Sequence, residues 1–187
     1  CLGPEGVIDC RRLTHMGGPY AQIDFCGGRI KIKDIYSSDG IFVAQASDWK
    51  GGWPNTGATF NALTGPIDIE LNEERTLVKG WGARYADFTG SQGFVKRGTG
   101  TLIWGWKTTS NDSYLKGSAH YTGDTVVKAG GIRLMTPSSA SGQQAKNDTP
   151  AGSSLVLEGG TFFDLNGCAA TFLGVSGAGM VTNSIAT

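Results

Sequence analysis

Two runs decide how this chain is read: Phe94-Val-Lys-Arg-Gly-Thr-Gly-Thr-Leu-Ile-Trp104 and, after a polar loop, Tyr121-Thr-Gly-Asp-Thr-Val-Val-Lys-Ala-Gly-Gly-Ile-Arg-Leu134. Between Phe94 and Leu134, short apolar strands alternate with tight glycine turns. No segment is long enough or periodic enough for a helix. Short strands at near-regular spacing predict an all-β chain that coils on itself, a β-solenoid.

Outward from this stretch the same scheme recurs. Residues 22–25 alternate, and Gly27-Gly28 then turns into Arg29-Ile30-Lys31-Ile32-Lys33-Asp34-Ile35. Alternation sends Ile30 and Ile32 inward, with Ile35 next, and Arg29, Lys31 and Lys33 outward. Ile67, Ile69 and Leu71 face in, and Asp68 and Glu70 face out. Further strands are expected at 41–44, 58–63, 76–79, 85–88, 155–157, 161–165, 171–175 and 180–183. Gly-Gly opens strands at 27–28, 130–131 and 159–160, and a Gly-x-Gly lead-in recurs at 98–100 and 177–179. The irregular segment 1–20 is expected to be an N-terminal cap or linker, with the solenoid running over 21–187. The chain stops at Ile185-Ala186-Thr187 without an evident cap, as expected of a solenoid that continues or an end that docks on a partner.

The central stretch resembles the passenger-associated repeat of bacterial autotransporter and adhesin-like surface proteins. The matching residues are Lys96, Gly98, Gly100, Thr101 and Leu102, then Tyr121, Thr122, Gly123, Thr125 and Val127, then Gly130, Gly131 and Leu134. Phe163 to Gly167 and Leu173 to Val181 are similar to a further coil of that family, so the likeness covers about residues 88–187. It implies a right-handed parallel β-helix, with Gly-rich turns and projecting loops, in a cell-surface or secreted setting. It implies no activity. Trp104 stands where the family usually has a leucine. An insertion, 108–118, precedes Tyr121 and is expected to project as a surface loop, as is the polar run 136–153.

Bulk composition narrows the classes. The 187 residues suit one domain or a piece of one, and the 30 glycines fit many tight turns. Net charge is zero, which gives no electrostatic case for nucleic acid or an anionic membrane. No apolar run approaches the ~20 residues of a membrane helix. No secretion signal is visible, as expected of a mature or trimmed chain.

The four cysteines are Cys1, Cys10, Cys26 and Cys168. A Cys10–Cys26 disulfide, a Cys1–Cys10 disulfide and partly free buried thiols all remain open readings. Cys1 also suits either a lipidated first residue or a fragment boundary. None lies in a Cys-x-x-Cys pair, so no zinc site is expected.

Catalytic signals are weak. His15 and His120 lack metal-ligand spacing, and no Asp-rich calcium loop is present. Ser176 in Gly-Val-Ser-Gly-Ala-Gly lacks the helix that a nucleophile elbow requires. A polysaccharide lyase or hydrolase would need acids and a base on one outward face, with Asp24, Lys31, Lys33, Asp34, Asp68 and Glu70 as candidates. Among the five tryptophans, Trp49 and Trp53 lie in a Gly-Pro loop suited to stacking on sugar rings, while Trp81 and Trp106 carry no separate expectation and Trp104 reads as core. Asn111-Asp112-Ser113 and Asn147-Asp148-Thr149 fit glycosylation triplets and receive no role.

The expectation is a non-catalytic bacterial cell-surface or secreted solenoid acting as stalk, adhesin or self-assembling subunit, without a cofactor. Its expected partners are copies of itself through the solenoid ends, or a surface glycan or host-surface molecule presented to its loops. The alternatives are a polysaccharide-active β-helix enzyme and a glycan-binding module.

Overall fold

The computed structural model describes residues 1, 3–10, 13–16, 20–32, 40–45, 56–80, 84–108, 115–135 and 149–184. Among these there is no helix, and every strand pairing is parallel. In chain order the strands come in groups, here called tiers. The first tier holds β1 (Val7–Cys10), β2 (Leu13–Met16) and β3 (Tyr20–Phe25). The second holds β4 (Arg29–Ile32), β5 (Gly40–Gln45) and β6 (Thr56–Ala62), and the third β7 (Ile67–Leu71), β8 (Arg75–Gly80) and β9 (Arg84–Gly90). The fourth holds β10 (Phe94–Arg97), β11 (Thr101–Thr108) and β12 (Leu115–Ala119). Three shorter tiers follow: β13 (Thr125–Val127) with β14 (Gly131–Leu134), β15 (Ser154–Leu157) with β16 (Phe162–Asp164), and β17 (Gly174–Gly177) with β18 (Met180–Thr182).

Each strand pairs with its counterpart in the next tier. The first sheet runs β1-β4-β7-β10-β13-β15-β17, the second β2-β5-β8-β11-β14-β16-β18, and the third β3-β6-β9-β12. The step between neighbours is three strands through β12. It falls to two where, among the described residues, the third sheet has no further strand.

Strict register stacks like positions into columns. On the first sheet Ile8, Ile30, Ile69, Lys96, Val127, Leu157 and Gly177 form one column, and Ile67, Phe94, Thr125, Leu155 and Val175 another. Both face the core. The inward side chains of all three sheets join one apolar cluster. Phe88 from the third sheet, Phe94 from the first and Trp104 from the second meet there. Their ring centroids lie 6.5 Å (Phe88–Phe94), 6.2 Å (Phe88–Trp104) and 5.1 Å (Phe94–Trp104) apart. Phe60 stacks on Phe88 from the tier before at 5.0 Å. Each such ring, taken from water, contributes on the order of 2 kcal/mol.

The turn between β10 and β11 explains the glycine spacing. Gly98 has φ +76, and a Cβ there would lie 2.2 Å from the Leu71 carbonyl oxygen of the preceding tier. Gly100 has no such φ, yet its Cβ would fall 2.1 Å from Glu73 O. One glycine serves handedness and the other close stacking.

Several expectations need correction. Strands begin at Val7, not near residue 21: the segment 1–20 contains β1 and β2, which pair with β4 and β5. The run 108–118 is not wholly a loop, because Leu115–Ala119 forms β12 in register with β9. The expected strand at 171–175 begins instead at Gly174, where pairing with Ser154 of β15 starts.

The disulfide is also different from both pairings considered: Cys26 bonds to Cys1, with Cα atoms 6.1 Å apart. Cys10 pairs in register with Ile32, at the far end of β4 from the Cys26 turn. A four-residue strand spans about 10 Å, beyond the ~4–7 Å between the Cα atoms of a disulfide. The segment ahead of β1 runs beside the turn at Gly27, whose Cβ would touch Pro4, and this brings Cys1 into reach.

Candidate functional site

The outward face of the first sheet carries a cluster of charge. Register places Arg29 beside Asp68, and Lys31 beside Glu70, which in turn lies beside Arg97. Arg97 Nε donates to both Asp68 oxygens at 3.0 Å, and Arg29 Nη1 donates to Glu70 Oε2 at 2.7 Å. Lys31 Nζ stands 3.7 Å from Glu70 Oε1, and Arg29 Nε the same distance from Asp68 Oδ1. Burial pushes the Asp68 carboxyl above its ordinary value, while the Arg97 hydrogen bond and the charges of Arg97, Arg29 and Lys128 oppose that. Alternating charge across tiers makes a ladder of cross-strand pairs, each contributing a few tenths of a kcal/mol to about 1 kcal/mol.

The third sheet presents a polar outward face. Asp24 accepts from Gln22 Nε2 at 2.6 Å and from Asn61 Nδ2 at 2.9 Å, and these bonds hold its carboxyl below the ordinary value. Ser118 donates to Asp87 on the neighbouring strand.

A lysine and a tyrosine bring polar atoms into the core. Lys96 sits between Ile69 and Val127 and is wholly buried. Its ammonium donates to Gly98 O at 2.6 Å and Ala129 O at 2.9 Å, so it ties the turns of two successive tiers. Burial lowers its pKa to about 8. Tyr121 stacks on Phe94 with centroids 6.3 Å apart. Its hydroxyl lies 2.7 Å from Thr125 Oγ1, which lies 3.0 Å from Ser153 Oγ.

At the far end of the two longer sheets, among the described residues, core columns reach exposed positions. Val175 and Val181 continue columns that run over buried Leu155 and Phe163, yet they are 60% and 51% exposed. Met180 and Leu173 are exposed beside them.

Of the six residues considered for polysaccharide chemistry, the structure brings together Lys31, Asp68 and Glu70. Asp24 belongs to a different sheet, and Lys33 and Asp34 lie outside the described residues. Trp49 and Trp53, the expected glycan contacts, lie outside them too, as does Trp81. Trp104 is buried, as its position suggested. His120 and Ser176 are exposed. Among the described residues no group of three His, Cys, Asp or Glu side chains is arranged to hold a metal ion.

The passenger-like motif residues acquire physical roles. Lys96, Gly98 and Gly100 build one turn, and Leu102 fills the core beside it. Tyr121 and Thr125 form the hydroxyl pair, and Thr122 is exposed between them. A Cβ on Gly123 would strike the backbone of Gln92 and Gly93. Gly130 takes φ +64, Gly131 makes room for the Phe162 ring, and Leu134 is buried. Sequence reasoning took Lys96 as a motif letter and missed its burial. The signal was present, since alternation places it on the same side as Phe94.

The chain matches no family model, no curated protein sequence and no solved structure. The functional reading therefore rests on this chain's own geometry and on the resemblance of its motifs.

Proposed function

We propose that the three sheets are the faces of one right-handed parallel β-helix, and that the chain is a non-catalytic structural segment of a bacterial cell-surface or secreted protein. The observation that carries this reading is the meeting of Phe88, Phe94 and Trp104, one ring from each sheet, in a single core. Three sheets that share one interior, visited in fixed order, fit a coil. Parallel crossovers of this kind are right-handed in about 98% of cases. The surface setting is supported by the resemblance of Lys96 to Leu134 to passenger repeats and by the Cys1–Cys26 disulfide, which suits an oxidising compartment.

In this reading the mechanism is mechanical. Stacked tiers make a stiff rod, because every strand is held by neighbours above and below. The rod serves as stalk or adhesin by presenting its loops to a partner. A glycan array together with a polysaccharide-cleavage panel tests this: binding without cleavage makes it an adhesin, neither makes it a stalk, and cleavage overturns the non-catalytic reading.

One observation favours a second reading. Asp68, with its raised pKa, lies on one outward face with Glu70, Lys31, Arg29 and Arg97. Carboxylates beside cationic groups are what a lyase acting on acidic polysaccharide uses. Loss of cleavage in Asp68→Asn and Lys31→Met, with the fold retained, would support this reading.

A further inference from the structure

We infer that Asn166 is a site of slow self-modification, its side-chain amide converted to a carboxylate through a ring closed by the backbone nitrogen of Gly167, and that docking of the β17–β18 tier holds this chemistry in check. The inference does not rest on the surface or polysaccharide readings above. The turn after β16 takes left-handed backbone at two successive residues, φ +48 at Asn166 and φ +75 at Gly167. Asparagine is among the few non-glycine residues that enter that region readily, and Asn-Gly suits a turn with two positive φ values. Elsewhere the chain puts glycine at positive φ, as at Gly98, Gly130 and Gly160. Here the asparagine side chain laces three tiers together. Its Nδ2 donates to Leu134 O of the preceding tier at 2.9 Å, and its Oδ1 accepts from Ser184 Oγ, just beyond β18, at 3.3 Å.

The pair that suits the turn is also a pair prone to cyclise, because glycine carries no Cβ to hinder its nitrogen. Gly167 N, after losing its proton to hydroxide, attacks Asn166 Cγ. A Cγ–N bond forms, the Cγ–Nδ2 bond breaks, and Nδ2 leaves as ammonia with a proton from water. Another water then opens the ring at either carbonyl and leaves aspartate or isoaspartate at 166. In the folded chain these groups are engaged. The Gly167 N–H donates to Asn183 Oδ1 at 2.7 Å, and the Asn166 amide is bonded at both ends. Asn166 N donates to Asp164 Oδ1, which also accepts from Ser184 N, both at 2.9 Å. Asn183 and Ser184 directly follow β18, so the attack waits for that tier to lift, a local opening. The product does not fit back. A carboxylate at 166 sets an acceptor against Leu134 O, where Nδ2 had donated, and stands two residues from the Asp164 carboxylate. A tier that has reacted redocks less well, which makes the opening one-way.

Peptide mapping by mass spectrometry tests this on the full chain at mildly alkaline pH, folded and in concentrated urea. In urea Asn166 should convert to aspartate and isoaspartate, and in the folded chain it should do so about tenfold more slowly or slower still. Asn183→Ala with Ser184→Ala should speed the folded reaction severalfold. The same double variant should leave the rate in urea unchanged, because neither residue flanks the reacting bond. Asn166→Asp, which carries the product's carboxylate from the start, supplies a second measurement. It should raise hydrogen exchange severalfold at Met180 N, which donates to Thr161 O at 2.9 Å across the two tiers. Equal rates in the folded chain and in urea, no conversion in urea, a folded rate unmoved by the double variant, or exchange in Asn166→Asp no faster than in wild type would each overturn the inference.

Discussion

The Lys96 ammonium donates to the carbonyl of Ala129, 33 residues further along the chain and one tier on, at 2.9 Å. A second bond, to Gly98 O, closes its own turn. A cation in an aliphatic column is costly to bury, and the hydrogen bonds to two carbonyls offset part of that cost. Replacing Lys96 with Met keeps the volume and removes both bonds. We expect a loss of about 2–4 kcal/mol, since each unsatisfied buried acceptor costs about 1–3 kcal/mol. Urea unfolding checks it.

Lys96 also sets an alkaline signature. Its folded pKa is about 8, against an ordinary 10.5. Between those values the unfolded chain holds a proton that the folded chain does not. Stability must then rise with pH across that window, by up to about 1.4 kcal/mol per pH unit. Tyr121 opposes it from pH 10.0 upward, because burial raises the phenol pKa and the unfolded chain alone ionises. Chemical denaturation from pH 7 to 11 should show a rise followed by a fall. Lys96→Met should abolish the rise.

Tyr121→Phe removes the hydroxyl 2.7 Å from Thr125 Oγ1 but leaves the Thr125–Ser153 contact and the stacking on Phe94. The expected cost is about 1 kcal/mol, and the fall above pH 10.0 should weaken. Urea melts at two pH values separate these effects.

Gly98→Ala would place a methyl 2.2 Å from Leu71 O at φ +76. The handedness penalty alone is about 1–2 kcal/mol, and the clash adds to it. We expect thermal stability to fall clearly, and to fall more than for alanine at the exposed Gly159, where a Cβ meets nothing within 4 Å.

The Cys1–Cys26 bond closes a loop with a sequence separation of 25. Peptide mapping without reduction should recover Cys1 linked to Cys26. Cys1→Ser with Cys26→Ser should cost about 3 kcal/mol by loop-closure entropy.

Much of the core was legible because alternation is a local signal. Ile30, Ile32, Ile67, Ile69 and Leu71 are all buried, as their spacing implied. The glycine pairs marked turns for a related reason, since positive φ and close stacking both select glycine. What escaped notice depends on partners distant in sequence. Leu-Lys-Gly-Ser-Ala at 115–119 has little strand character, and β9 supplies its ladder. β1 and β2 lie among glycines and prolines that read as irregular. Cysteine spacing does not encode connectivity, and the disulfide follows from where the β1–β4 register places each end. Of the candidate site, the charges on Arg29, Lys31, Asp68 and Glu70 were legible as outward-facing. Their closure by Arg97 was not, because that contact comes from the next tier.

The central claim is that successive tiers stack in parallel register around one core, and methyl–methyl contacts measured by NMR test it most directly. Val95, Val126 and Val156 occupy one column on β10, β13 and β15. With valine methyls labelled, cross-peaks should link Val95 to Val126 and Val126 to Val156. Absence of both, together with cross-strand contacts between consecutive strands such as β13 and β14 in a hairpin, would contradict the account.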